Sequence, residues 1–380
     1  MRVSCLQENL ARGLGVVSRA VATRSTLPVL SNIYVGTDAG RLKLAATNLE
    51  IGITCWVGAK VEEEGATTVP ARIFGDLVSQ SPPERIELEL NVRGQELRYH
   101  CAQIESTIKG IDASEFPIIP TAEERGGDIT IPPDLLKEMI GQVAFAAATD
   151  ESRPILTGVL MDFHEDQLTL AAADGFRLSV RTAHLEAPVA QKMRVIVPAR
   201  ALNELARIIG DQEAPVEITV TPNRNQVLFH LENVDVASQL IEGNFPDYKQ
   251  IIPKNTQTRA VVDTATFLKA VRRAYIFARD VANIVRIAIG AEKELQPSQL
   301  TVSAEAAEVG DDVEVLPAQV EGPAMEIAFN AKYLIDILSV IGTAKTAVET
   351  NSSSSPGVIR PVAGDGFTHV VMPMHIGSNR

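Results

Sequence analysis

One short segment recurs three times along this chain at domain-sized intervals: ThrValProAlaArg at 68–72, IleValProAlaArg at 196–200 and, more loosely, AlaPheAsnAlaLys at 328–332. Val69, Val197 and Phe329 fall about 130 residues apart. That spacing is far longer than a solenoid repeat and close to ordinary domain size. A chain of 380 residues exceeds what one hydrophobic core usually serves. The repeat therefore predicts one fold used three times, over 1–125, 126–254 and 255–380, with linkers near 120–130 and 250–260.

Each repeat opens with apolar residues at three- and four-residue steps, the spacing of one helical face. In the first these are Leu6, Leu10, Gly13, Leu14, Val17 and Val21. In the second, Leu135, Leu136, Met139, Ile140, Val143 and Ala147 follow the ProPro at 132–133, a favourable helix start. In the third, Phe267, Leu268, Val271 and Tyr275 follow Thr264. Strand-like stretches come next, at 27–35 and 154–163 and then LeuLysLeuAlaAlaThr and LeuThrLeuAlaAlaAlaAsp, with 284–290 and 300–305 in the same place of the third copy. The ValProAlaArg-type segment begins a second helix, and further strands end each unit. Two helices on antiparallel sheet, three times over, is an α+β architecture.

Apolar content of 45% with 22% charged residues is normal for a globular protein, and no run approaches the roughly 18 apolar residues of a membrane span. Glu8 and Asn9 interrupt the first residues where a secretory signal needs continuous apolar chain, so a soluble, cytoplasmic protein is expected. Cys5, Cys55 and Cys101 are odd in number and lack CxxC spacing, which predicts reduced, buried thiols.

A net charge of −13 argues against strong DNA binding, since that affinity comes from Lys and Arg neutralising phosphates. Basic residues nevertheless collect on the helices. Lys269, Arg272 and Arg273 are spaced to share one face, and Arg12, Arg19, Arg72, Arg200, Arg207 and Lys332 extend the pattern. Glu8, Glu138, Glu204 and Asp336 dilute it. These are either solvated helix faces or a surface that tracks phosphates without reading bases.

Catalytic constellations do not assemble. The adjacent carboxylates Asp150 and Glu151 read as a turn or cap. The six histidines form no i,i+4 pair and no HExxH, so neither metal nor cofactor is expected. Gly13, Gly15 and Ser18 imitate a phosphate loop but lie inside a helical pattern, where close packing is the better reading. ValValMetProMet at 370–374 is either a last strand filling the core or an adaptable Met-rich surface.

Several motifs taken in order resemble the β subunits of bacterial DNA polymerase III, the sliding-clamp family. They are ThrLeuProValLeuSerAsn at 26–32, ValProAlaArg at 69–72, SerArgProIleLeuThrGly at 152–158, AlaAspGlyPheArgLeu at 173–178, GlyAsnPheProAspTyr at 243–248 and ValValMetProMet at 370–374. The resemblance implies three DNA-clamp domains per chain and a head-to-tail homodimer that closes a ring around duplex DNA. It implies a non-catalytic processivity factor that works with the polymerase α subunit, clamp-loader subunits, other polymerases and repair proteins through short peptide motifs.

By the same resemblance, Leu156, Ala173, Gly175, Phe176, Arg177 and Leu178 form one wall of a hydrophobic peptide groove. Pro246, Ile251, Asn330, Tyr333, Val370, Met372, Pro373 and Met374 form the other. Phe176 and Ala173 stand where some members carry more polar residues. Arg24 and Arg153 match loop positions that reach toward DNA, joining Arg72, Arg200, Lys269, Arg273 and Lys332 as DNA-facing residues. Ile104 and Ile108 of one protomer would meet Ile276 and Phe277 of the other. The rival readings are a DNA-acting enzyme, which needs a carboxylate cluster for Mg²⁺, and a peptide-binding scaffold that does not act on DNA.

Overall fold

The computed structural model describes residues 1–121, 129–280, 282–290, 298–364 and 366–375. Most of the linker expected at 120–130 lies outside them. The first repeat comprises β1 (Arg2–Leu6), α1 (Gln7–Val17), β2 (Asn32–Asp38), β3 (Arg41–Thr47), β4 (Ile51–Val57), β5 (Lys60–Glu63), β6 (Ala66–Pro70), α2 (Ala71–Gln80), β7 (Arg85–Asn91), β8 (Glu96–Cys101) and β9 (Ile104–Lys109). The second comprises β10 (Ile129–Ile131), α3 (Pro133–Val143), β11 (Gly158–His164), β12 (Gln167–Ala173), β13 (Arg177–His184), β14 (Met193–Pro198), α4 (Ala199–Ile209), β15 (Val216–Val220), β16 (Gln226–His230) and β17 (Val234–Gln239). The third comprises β18 (Thr258–Asp263), α5 (Thr264–Ala278), β19 (Ile284–Gly290), β20 (Gln299–Ala306), β21 (Gly310–Pro317), β22 (Gln319–Glu321), β23 (Met325–Asn330), α6 (Ala331–Val340), β24 (Lys345–Thr350), β25 (Gly357–Pro361) and β26 (Phe367–Val371).

The recurring segment is a strand-to-helix junction each time. β6, β14 and β23 end at Pro70, Pro198 and Asn330, and α2, α4 and α6 begin at the next residue, an alanine. Val69, Val197 and Phe329 are fully buried as the last inward side chains of their strands. Pro70 and Pro198 lack an N–H at a place where the strand ladder ends and the helix has no use for one. Asn330 replaces them with a cap, its Oδ1 accepting from Lys332 N at 3.0 Å. The following Arg72, Arg200 and Lys332 are exposed.

The strands pair antiparallel throughout the described ladders, and by contact density the chain divides into two compact units. One unit joins Met1–Leu136 to Arg200–Ile241, and the other joins Lys137–Ala199 to the described residues from Glu242 onward. The first holds a five-stranded sheet, β5-β1-β7-β8-β9, and an eight-stranded sheet, β10-β15-β16-β17-β4-β3-β2-β6. The second holds a nine-stranded sheet, β14-β11-β12-β13-β26-β25-β24-β18-β22, and a four-stranded sheet, β21-β20-β19-β23. Sheets thus run across repeats: β17 pairs with β4, and β26 with β13.

Helix α1 lies on its sheet through Leu10, Gly13, Leu14 and Val17, all buried. It ends earlier than the sequence pattern suggests, tightening into a 3₁₀ turn at Ser18–Ala20, and Leu6 is the exposed end of β1. The strands expected from 27 and 154 begin only at Asn32 and Gly158. Pro28–Ser31 and Pro154–Thr157 are 3₁₀ turns, because proline at the first turn position fixes φ and gives up a donor that a strand ladder would need. In α5 and α6 the cores are Phe267, Val271, Leu334, Ile337 and Leu338, packed with Phe329. The three cysteines are buried and free, and burial pushes Cys5 up to about 12 and Cys55 to about 11, so neither forms a thiolate readily. No helix among the described residues is long and apolar enough to cross a membrane.

Gly13 is a packing glycine. A Cβ there would stand 2.7 Å from Val57 Cγ2 and 3.0 Å from Leu44 Cδ1, whereas one on Gly15 would meet nothing within 4 Å. Gly13→Ala should therefore lower the unfolding free energy by about 1–3 kcal/mol through overpacking. Gly15→Ala should raise it by up to about 1 kcal/mol through helix propensity. Urea denaturation followed by circular dichroism reads both, and a stabilising Gly13→Ala would contradict the close approach.

Candidate functional site

Of the expected groove residues, Phe176, Arg177, Leu178, Val370 and Met372 come together where β13 meets β26. Arg177 pairs with Val371 and Leu178 with Val370 across this ladder. Asp174 shapes the turn that leads into β13, its Oδ1 accepting from Phe176 N at 2.8 Å and Arg177 N at 3.0 Å, while Gly175 takes a φ of 95° that suits glycine. The turn leaves Phe176 exposed, and Met372 N donates to its carbonyl at 2.8 Å. Met374 N donates to Ala328 O, also at 2.8 Å, so the tail is tied at two points. Met372 is exposed, whereas Val370 and Val371 are buried in an interior strand. The tail is thus both a core strand, as one reading had it, and a methionine surface beyond it. Leu156 and Ala173 are mostly buried, Pro246 and Ile251 are exposed, and Asn330, Tyr333, Pro373 and Met374 are half-buried.

Arg177 lies beneath this surface, not on it. Its side chain is 11% exposed, with Nε 3.0 Å from Asp174 Oδ2 and Nη1 2.6 Å from Asp336 Oδ2. Nη2 donates to Phe145 O at 2.8 Å, and the guanidinium lies 4.4 Å from the centroid of the Tyr333 ring and 5.3 Å from that of Phe145. Two carboxylates, a carbonyl and two rings offset the desolvation of the charge. The consequence is a strut that ties the groove turn to α6. Burial and the carboxylates of Asp174 and Asp336 raise the Tyr333 pKa, so its hydroxyl stays protonated at neutral pH.

Sequence reasoning missed His369. It is fully buried on β26, its Nδ1 2.6 Å from Ser179 Oγ, its ring stacked on Phe145 at 5.5 Å, and its Nε2 without a hydrogen-bond partner. Burial, with the nearby Arg177 charge, lowers its pKa to about 3. The ring is neutral at physiological pH.

The basic residues divide by partner. Arg24, Arg200 and Lys269 are exposed, and Arg72 is almost fully exposed, with Asp76 3.8 Å away. Lys332 Nζ lies 5.9 Å from the Tyr275 ring centroid. Arg153 is exposed, with Nη1 3.1 Å from where a Cβ on Gly175 would stand, which puts it beside the groove turn. Lys269, Arg272 and Arg273 are all exposed on α5, and two of them meet different partners: Arg272 Nη2 reaches Ser339 Oγ on α6 at 3.4 Å, and Arg273 is ion-paired with Glu314 on β21, its Nε 2.9 Å from Oε2. Arg19 and Arg207 both meet Glu204, at 2.9 and 2.8 Å. Exposed pairs of this kind are worth little, so phosphate can displace the acid at small cost.

Two sheet edges complete the candidate surfaces. β9 and β21 are outer strands of their sheets among the described residues. On β9, Ile104 is half-buried and Ile108 is buried; on α5, Ile276 is exposed and Phe277 half-buried. β21 inverts the usual polarity: Val313 (62%) and Val315 (54%) point outward, while Asp312 and Glu314 turn inward. The AspValGluVal alternation was a visible signal for this edge, but the sequence does not say which side is wet. Asp150 proves to be a turn residue, its carboxylate accepting from Ser152 N at 2.9 Å and Ser152 Oγ at 2.7 Å. No group of three or more His, Cys, Asp or Glu among the described residues is placed to hold a metal ion.

Three sequence profiles of one family match the chain in succession: the N-terminal domain of the DNA polymerase III beta subunit over 1–120, its central domain over 130–247 and its C-terminal domain over 249–375. The chain is 34% identical to the beta sliding clamp of Synechococcus elongatus, covering all of both proteins. It is 32% identical to that of Bacillus subtilis, covering 98% of this chain and 99% of the relative. Among solved structures, a DNA polymerase sliding clamp from Bacillus subtilis superposes with a TM-score of 0.92 at 30% identity over 99% of each chain. The beta subunit from DNA polymerase of Streptococcus pyogenes gives 0.92 at 25% identity, over 99% of this chain and 100% of that one.

The buried histidine makes stability depend on pH. Its folded pKa of about 3 lies below the unfolded value near 6.5, so below about pH 6.5 the unfolded state binds a proton that the folded state refuses. Stability is full above that value and falls by about 1.4 kcal/mol per pH unit as the pH drops toward 3. In urea denaturation across pH 4–7, His369→Gln should show a shallower slope by about that amount. An unchanged slope would mean the ring is not held neutral.

Proposed function

The chain belongs to the family of DNA polymerase III beta subunits, the beta sliding clamps, and from that membership we propose how it assembles and what it holds. It is a DNA polymerase processivity factor without catalysis of its own, built of three α+β clamp domains with helices on antiparallel sheets. The observation that carries the function is the full-length match in three consecutive domains. Our reading of their extents is 1–125, 126–254 and 255–380.

In our reading two chains join head to tail around duplex DNA. The argument comes from the ladders. β17 pairs with β4 and β26 with β13; by repeat position the next pair in the series is β9 with β21. Both are outer strands, and the exposed Val313, Val315 and Ile276 beside β21 give that edge an apolar surface that a partner would cover. Ile104 would meet it at the rim of the facing strand, with buried Ile108 holding that strand in place and Phe277 backing the contact. A head-to-tail contact closes when the rotation permits, and two chains satisfy each other's edges.

Phosphates would be met by Arg24, Arg72, Arg153, Arg200, Lys269, Arg273 and Lys332, several of them already beside acids. Weak, exchangeable contacts suit a clamp that must slide, and a chain carrying −13 has little affinity for DNA that is not threaded through it. The groove at Phe176 and Met372 would take short peptide motifs of the polymerase α subunit, the clamp loader and repair proteins in the cytoplasm. Arg177 acts there as a positioning residue, holding the turn from below.

Three measurements test this reading. Clamp loaded onto nicked circular DNA with loader and ATP should be lost when the circle is linearised, and retention without end blocks would refute topological tethering. Val313→Asp with Val315→Asp should convert a dimeric mass in light scattering to a monomeric one; a dimer that persists at low micromolar concentration contradicts the edge assignment. Met372→Ala should weaken a polymerase-derived peptide about tenfold in fluorescence anisotropy, or roughly 1.4 kcal/mol. Val370 and Val371 are core residues, so a point change at Met372 tests the groove without removing the strand that supports it.

A further inference from the structure

The groove turn has a counterpart in the first unit, and we infer that it is a second binding site of the same kind, occupied by the chain's own segment Pro117–Pro120. The correspondence holds bond by bond. Asn48 Oδ1 accepts from Glu50 N at 3.0 Å and Ile51 N at 2.8 Å, as Asp174 does from Phe176 and Arg177. Leu49 takes a φ of 76° where Gly175 takes 95°. Gln239 N donates to Glu50 O at 2.8 Å, as Met372 N donates to Phe176 O. Gly52 pairs with Ala237 and Ile51 with Ser238, as Leu178 pairs with Val370 and Arg177 with Val371.

Among the differences between the copies, one side chain and the spacing of one segment decide what fills the cleft. Gly52 stands where the second copy has Leu178, and a Cβ built on it would lie 2.8 Å from Ile119 Cγ2, so Ile119 fills the hollow that the absent leucine leaves. Ile119 reaches this hollow because IleIlePro follows PhePro at once. PhePro at 116–117 runs directly into IleIlePro at 118–120, whereas AspTyrLysGln separates PhePro at 245–246 from IleIlePro at 251–253. In the second copy those extra residues form a turn that buries Tyr248 and leaves Ile251 exposed. In the first, a cleft of only about 100 Å³ remains around Ile119, between Leu49, Gln226 and Gln239. Ile118 is 96% exposed, so Ile119 is the anchor. The flanking prolines favour the extended backbone that a bound peptide needs.

The inference rests on the reading of the second groove as a peptide site, and it names the ligand class of both: an extended segment with an aliphatic anchor. The test transplants the insertion. AspTyrLysGln placed between Pro117 and Ile118 should lift the linker away, so that a labelled peptide of residues 116–121 binds this variant at least tenfold more tightly than the parent in fluorescence anisotropy. Both carry Met372→Asp, so the second groove contributes nothing. Equal affinity for the two would overturn the inference. Ile119→Ser and Ile118→Ser provide a second arm that needs no peptide: the melting temperature should fall by about 3 °C for the first and stay within error for the second. Equal shifts would overturn self-occupation, whatever becomes of the second groove.

Discussion

Backbone pairing between the last strand of one repeat and an interior strand of the repeat before it is the constraint on which this architecture depends. A repeat by itself would expose unpaired N–H and C=O groups along that strand, and buried groups of that kind must find partners. β4 supplies them to β17, and β13 supplies them to β26. The same ladders decide where surfaces form. Each ends at a tight turn whose carbonyl, Glu50 or Phe176, holds the end of the incoming strand: its last residue, Gln239, or the first beyond it, Met372. In our reading a cleft beside that turn follows from the way the repeats are joined, and local side chains then decide whether it is open or filled.

The apolar surface at Phe176 and Met372 is one layer thick over a polar support. Arg177 is held by Asp174 and Asp336, and His369 by Ser179, with Phe145 against both. Side chains of this sort are costly to bury, and they stay in one arrangement because any other leaves a charge or a ring nitrogen worse served. Rigidity in the support lets the exposed methionine and phenylalanine above it remain adaptable without loosening the strands.

The strand-to-helix junction was legible because the segment carries its own physics: a buried side chain, a residue that ends a ladder, a small residue and a cation, in a fixed order. The helix stripes at Leu10, Leu14 and Val17 and at Phe267 and Val271 were legible for the same reason. The 3₁₀ turns at Pro28 and Pro154 were not, since ValLeu and IleLeu carry strand propensity and the decisive factor is a missing donor. Nor could spacing show that Arg177 lies inward, that Glu314 pairs with Arg273, or that the valines of β21 face out. Each depends on a partner far away in sequence, Asp336, Glu314 or the absent neighbour of an outer strand, and periodicity carries no information about such partners.

The inverted strand β21 has a bearing on solubility. An open edge with outward valines is the kind of template on which chains polymerise, and β9 offers a second, different edge on the same molecule. Two unlike edges on one chain permit an endless fibre as readily as a closed pair, and only the angle between successive copies chooses. In the proposed dimer each chain consumes both of its edges at once, so growth terminates at two and nothing adhesive remains. Closure would then serve as protection against aggregation as well as a means of enclosing DNA, and any agent that opens one seam would briefly expose two sticky ends that must be shielded until they rejoin.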